Sequence, residues 1–275
     1  MKYEVQKDKI IIHSTDEFKP KDILECGQIF CYKKNNDNYV VYSLDKKAEI
    51  VHNGKNYEIL TKNTEYFVNF FDLNTNYCEI KQNLLNSYPY LNNALKYGSG
   101  IRILKQDPFE TIISFIISSN NNIKRIQKIL FAIREKFGNK IEDYYTFPTV
   151  EQLLLATEQD FKNLGAGYRS KYLEIVVKQL SKIDLNSLNS LSTEELNKEL
   201  LKLMGVGQKV ADCIMLFGFG RGDVFPVDTW IEKVYCAYFE EEHDRVKIRR
   251  NLVNMFKQNS GYAQQYLFYS QRENS

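Results

Sequence analysis

The chain has no CxxC pair. Its five cysteines, Cys26, Cys31, Cys78, Cys213 and Cys236, are an odd number at irregular spacings with no histidine-rich segment beside them. They read as reduced, intracellular thiols. A strong charge of one sign is also missing: 37 basic side chains face 35 acidic ones, for a formal net charge of +2. An anionic partner must therefore be met by a local patch, and charge alone neither proves nor excludes nucleic acid. Long apolar runs are absent as well. The start, MKYEVQKDKIIIHS, lacks the apolar stretch of a signal peptide, and no later segment approaches the ~20 apolar residues of a membrane span. A soluble cytoplasmic protein is expected, nucleoid-associated if its source is prokaryotic, with no membrane contact. No internal repeat or low-complexity tail is visible, and 275 residues leave room for one large domain or a few small ones.

What is present changes character along the chain. The first third alternates β-branched and aromatic runs with polar turns, KIIIHS, YVVYSLD and AEIVHNGKNYEIL, the last with the turn signal Asn53-Gly54. These runs predict a small antiparallel sheet. From Tyr66 to Lys96 apolar residues fall at helical spacing, broken near Pro89, and Gly98-Ser99-Gly100 separates them from the remainder of the chain. A boundary is expected near Leu104, giving a mixed α+β domain over 1–104 and a helical domain over 105–275. In the second part Asp107-Pro108-Phe109-Glu110 is a helix start, Thr149-x-x-Gln152 and Ser192-x-x-Glu195 repeat capping-box spacing, and Gly138, Gly165 and Gly205 are helix stops.

The densest signal is LMGVGQKVADC. Helix 193–203, hairpin 204–207 and helix 208–217 predict a helix-hairpin-helix in which Gly205 and Gly207 let backbone amides at the second helix's start point outward, as a phosphate requires. An ordinary helical corner with a glycine cap explains the spacing about as well. Lys209 is harder to explain, because the start of a helix is where its dipole is least favourable to a cation. That position and an apolar cleft both shift a lysine toward its neutral, nucleophilic form. Cys213, four residues on, shares the helix face, although core packing is the commoner fate of a cysteine. Asp228 in VFPVDTW caps the next helix and can still present its second oxygen to a developing cation.

LMGVGQKVADC followed by VFPVDTW resembles the helix-hairpin-helix and aspartate signature of base-excision DNA glycosylases, in the branch whose second helix carries a lysine. Members with an iron–sulfur cluster carry four clustered cysteines after this region. Here only Cys236 follows, which removes endonuclease III. GQIFCY, RILKQDP, SSNNNIKRI, GYRSKY and AQQYLF extend the likeness over essentially the full length and point to the 8-oxoguanine DNA glycosylase family.

The resemblance implies an α+β fold, with an N-terminal antiparallel, TBP-like sheet and an all-α helix-hairpin-helix core. It implies a monomeric, bifunctional DNA glycosylase/AP lyase that extrudes and excises 8-oxoguanine from duplex DNA, preferably opposite cytosine, and nicks the strand by β-elimination through a lysine Schiff base, with no metal or organic cofactor. It assigns Lys209 as nucleophile and Asp228 as stabiliser of positive charge on the sugar. Gly27 offers its carbonyl to the N7 hydrogen of 8-oxoguanine, Gln264 reads the Watson–Crick edge, and Phe268 with Cys213 sandwiches the ring. Asn120 fills the space left in the duplex, Tyr168 is a wedge, and Arg125 and Arg169 contact the orphaned cytosine. Gly205 and Gly207 belong to the phosphate-binding hairpin. Trp230 departs from the pattern, since the animal enzymes carry a histidine there, so a phosphate contact at that position is not carried over. Two alternatives stay open: a glycosylase of the same fold for alkylated bases, which would leave Lys209 without a covalent role, and a non-catalytic DNA-binding module using only the hairpin.

Overall fold

The computed structural model describes residues 1–273. Strand-forming runs near the N-terminus build β1 (Tyr3–Gln6), β2 (Lys9–Ile12), β3 (Tyr32–Asn35), β4 (Asn38–Ser43), β5 (Lys46–His52) and β6 (Tyr57–Leu60), with helix α1 (Pro20–Leu24) between β2 and β3. The strands form one sheet in the order β1-β2-β6-β5-β4-β3. Alternation sets its buried face: Ile10 and Ile12 of β2, Ala48 and Ile50 of β5 and Ile59 of β6 are buried, and Ile59 is in register with both Ile10 and Ile50. At the Asn53-Gly54 turn, Asn53 Oδ1 accepts from the amides of Lys55 and Asn56 at 3.2 and 2.8 Å, and Gly54 takes φ +88°. The outer strands β1 and β3 were not expected. β1, YEVQ, does alternate but is only four residues long and exposed beyond Tyr3, whereas β3 is mostly polar and its lysines suit a sheet edge.

Helices follow: α2 (Thr64–Phe70), α3 (Tyr77–Ser87) and α4 (Asn92–Tyr97), then α5 (Pro108–Ser118), α6 (Ile123–Phe137), α7 (Val150–Leu153), α8 (Glu158–Asn163) and α9 (Arg169–Leu180). The chain continues through α10 (Thr193–Leu200), α11 (Gln208–Gly218), α12 (Thr229–Tyr238), α13 (Arg245–Phe256) and α14 (Ser260–Glu273). Asp107 caps α5 through the amide of Glu110, and capping boxes close at Thr149/Gln152 and Ser192/Glu195. A third box, Thr157/Asp160, starts α8. Helix α10 stops at Leu200, three residues before the expected end, and the helical part also holds a short hairpin, β7 (Lys140–Ile141) with β8 (Tyr144–Tyr145).

Compactness divides the chain into two units that are not sequential halves. The first comprises Met1–Ile29, Glu49–Lys105 and the chain from Gly220 on; the second comprises Phe30–Ala48 and Gln106–Phe219. One crossing, between Lys105 and Gln106, adjoins the boundary expected near Leu104. In the first unit α3 and α4 share a core with α12, α13 and α14, including Leu84, Leu95, Ile231, Leu252 and Tyr266. Arg102 of the RILKQDP motif is fully buried there, donating to the carbonyls of Phe71, Asp72 and Thr75 and lying 4.1 Å from the Tyr77 ring centroid. In the second unit α5 is buried almost throughout, and its Glu110 pairs with Arg134 of α6 while accepting from the Leu44 amide at 2.8 Å.

Candidate active site and nucleic-acid interface

In the second unit, α10 and α11 are joined by the glycine hairpin. Gly205 has φ +84°, and a Cβ there would stand 3.0 Å from Cδ2 and 3.1 Å from Cβ of Tyr172, so both conformation and close approach require glycine. Gly207 is the N-cap of α11 and is open: a Cβ would meet nothing within 4 Å, and no side chain caps the helix. Its first-turn amides are therefore available to an anion. Lys209 is the second residue of α11, half-buried, with its Nζ 5.6 Å from the ring centroid of Phe115 on α5. Phe115 is itself stacked on Phe217 of α11. Among the described residues no acid and no hydrogen-bond acceptor is paired with the Lys209 ammonium. Cys213 lies one turn on and is 4% exposed.

The same unit gathers the residues of SSNNNIKRI and GYRSKY around one turn. Asn120 adopts φ 49°, a left-handed conformation that asparagine tolerates better than most residues, and its side chain is exposed with no hydrogen bond among the described residues. Its neighbours fix the turn: Asn121 Nδ2 donates to the Ile117 carbonyl at 3.0 Å, and Asn122 caps α6 through the Arg125 amide. Arg169 is only 2% exposed. Its Nε donates to the Ser119 carbonyl at 2.9 Å, its Nη2 to the carbonyls of Ser119 and Asn120, and its Nη1 to Ala166 at 3.4 Å. Burial lowers its pKa from the ordinary guanidinium value. Tyr168 stacks against this guanidinium at 4.3 Å, donates from its hydroxyl to the Ser119 carbonyl, and remains 55% exposed. Arg125 differs: it is exposed, and its Nη2 donates to the Gly165 carbonyl at 3.0 Å. Tyr172, which the sequence motifs alone did not single out, packs edge-on to Tyr168 and against Gly205, and so links the wedge to the hairpin. Its i, i+4 spacing from Tyr168 was the available signal.

In the first unit Asp228 is the N-cap of α12. Its Oδ1 accepts from the amides of Trp230 and Ile231, each at 3.0 Å, and its Oδ2 has no partner among the described residues. One oxygen is thus enough to cap the helix. Arg245 steadies the same turn, donating to Glu232 at 2.7 Å and reaching Thr229 Oγ1 at 3.4 Å. Glu232 also lies 3.0 Å from His243 Nδ1 and raises that imidazole's pKa above its ordinary value. Trp230 carries the Lys233 ammonium 4.8 Å from its ring centroid.

Gly27 and Phe268 meet in this unit as well. Gly27 has φ +88°, and a Cβ there would come within 3.5 Å of Phe268 Cε1. Gln264, one turn before Phe268 on α14, is 4% exposed, and its Oε1 accepts from Gln265 Nε2 at 2.7 Å. Among the described residues no group of three or more His, Cys, Asp or Glu side chains is placed to hold a metal, and no helix is long and apolar enough to cross a membrane.

Residues 10–112 match the family model of the 8-oxoguanine DNA glycosylase N-terminal domain, and residues 113–258 match that of the HhH-GPD superfamily base excision DNA repair proteins. The chain belongs to the HhH-GPD superfamily. This HhH-GPD chain is 39% identical over 153 residues to an N-glycosylase/DNA lyase of Saccharomyces cerevisiae, covering 49% of the chain and 41% of that relative. It is 30% identical over 220 residues to the N-glycosylase/DNA lyase OGG1 of Arabidopsis thaliana, covering 73% of the chain and 60% of the relative. The matches to these curated relatives thus span less than two thirds of their lengths. A crystal structure of Clostridium acetobutylicum 8-oxoguanine glycosylase/lyase, in complex with double-stranded DNA containing cytosine opposite 8-oxoguanine, aligns with a TM-score of 0.93 at 42% identity, over 100% of this chain and 98% of that one.

Proposed function

We propose that this HhH-GPD protein is a bifunctional DNA glycosylase/AP lyase that extrudes 8-oxoguanine from duplex DNA, excises it and nicks the strand. The observation that carries the reading is Lys209: an ammonium without an acid partner, in the first turn of an uncapped helix directly behind a glycine hairpin. Neither solubility nor stability calls for a lysine there. The near-full-length likeness to an 8-oxoguanine glycosylase/lyase and the closeness of Gly27 to Phe268 support the choice of base.

The chemistry is built from these groups. A base inside the stack hides both its edge and its sugar carbon, so the nucleotide must leave the helix, with Asn120 and Tyr168 occupying the gap. The Lys209 amine attacks C1′ as the glycosidic bond breaks, and the departing base takes the bonding pair and the proton that the nitrogen gives up. Asp228 Oδ2 offsets the positive charge that builds on the sugar. The sugar ring opens to a protonated imine on Lys209. Loss of a C2′ proton then expels the 3′ phosphate, and water releases the enzyme. Arg125 is the group proposed to favour cytosine opposite the lesion, while Arg169, whose donors meet the carbonyls of Ser119, Asn120 and Ala166, is proposed to hold the turn that carries Asn120.

Borohydride trapping tests the reading. The parent protein is expected to become covalently joined to a duplex containing 8-oxoguanine. Lys209→Gln should abolish both base release and trapping while keeping affinity for the damaged duplex, because the hairpin amides and the wedge are untouched. Base release without trapping by the parent would identify a water-dependent glycosylase, and binding without either would leave only a DNA-binding module.

A further inference from the structure

The C-terminal helix brings a cation to Gly27 that none of the recognised motifs contains. Arg272 lies one turn beyond Phe268 on α14, and its Nη1 is 3.2 Å from the point a Cβ on Gly27 would occupy. Its Cζ is 5.6 Å from the Phe268 ring centroid, and its Nη2 donates to the carbonyl of Glu25. The guanidinium is therefore held against a ring and by a carbonyl, with its other end at the glycine assigned to base recognition.

The edge of the base at issue differs between damaged and undamaged forms in the order of its polar groups. Guanine presents a lone pair on N7 beside a C8–H. The oxidised base presents an N7–H donor beside a C8 carbonyl acceptor. A backbone carbonyl next to a cationic donor complements the second arrangement. It opposes the first, setting an oxygen against the N7 lone pair and a guanidinium against C–H. We propose that Arg272 donates to the C8 oxygen of the extruded 8-oxoguanine, and so is a specificity-determining residue acting beside the Gly27 carbonyl. The inference rests on the 8-oxoguanine reading above.

The test uses full-length Lys209→Gln protein, which holds the base without cleaving it. The quantity measured is the ratio of affinities for duplexes containing 8-oxoguanine and guanine at the same position. Adding Arg272→Met keeps an unbranched side chain against Phe268 and removes the donors; the ratio is expected to fall about tenfold, as for one charge-assisted hydrogen bond. Arg272→Lys retains a donor and should recover part of the ratio. A role confined to tying α14 to Glu25, or a contact with the O6 atom that both bases share, would weaken both duplexes equally; an unchanged ratio overturns the proposal. A ratio near one before Arg272 is altered refutes the 8-oxoguanine reading, and this inference with it.

Discussion

At the scale of single residues, the two arginines assigned to the orphaned cytosine stand in different situations. Arg125 is exposed and, among the described residues, donates to one backbone carbonyl, so its planar fork can turn to a base edge at little cost. Arg169 is buried, and its donors already meet the carbonyls of Ser119, Asn120 and Ala166. Arg125→Lys is expected to weaken the preference for cytosine over adenine by about 1–3 kcal/mol with the fold intact, read from single-turnover excision on duplexes differing only at that base. Arg169→Lys is expected instead to lower stability in urea by about 1–3 kcal/mol and to slow excision opposite every base, since the left-handed turn at Asn120 loses its clamp. A shift in base preference at unchanged stability would show that Arg169 leaves those carbonyls for the DNA. The candidacy of Lys209 was legible because a cation at a helix start conflicts with a simple local rule. The clamp under Arg169 was not, because backbone carbonyls accept from any donor and leave no mark on the sequence.

Among the structural elements, the hairpin between α10 and α11 carries the strictest local demand. Gly205→Ala would place a Cβ in the left-handed region and against Tyr172 at once. A loss of about 1–3 kcal/mol is expected in thermal or urea unfolding. DNA affinity should fall with it, because displacing Tyr172 also disturbs Tyr168. Gly207→Ala, with open space around it and φ −95°, should cost far less, and equal losses at the two positions would contradict the distinction. Element starts were readable at Asp107, Thr149 and Ser192, where a side chain closes its own cap, but not at Thr157, whose box closes through Asp160 where the usual spacing has Glu or Gln. The polar edge strand β3 was not readable, since pairing with one neighbour and facing water on the rest imposes no period, and β1, though it alternates, is only four residues long.

For the whole molecule, the order of residues along the chain differs from their grouping in space. The chain passes between the two compact units after Ile29, Ala48, Lys105 and Phe219. A protein cut after Phe219 would keep α3 and α4 but lose α12, α13 and α14, which complete their core. In that fragment the amides of α3 and α4 are expected to lose their protection from hydrogen exchange, whereas retained protection there would mean the N-terminal segments suffice on their own. Sequence periodicity showed which segments are helical; it held no record of which distant helices share a core. The single tryptophan has a practical consequence. Trp230 is the second residue of α12, beside the Asp228 cap, with the Lys233 ammonium over its ring. Light absorbed beyond the tyrosine band is therefore emitted from one known place, and the molecule contains its own optical reporter at the start of the helix that holds the proposed stabilising carboxylate.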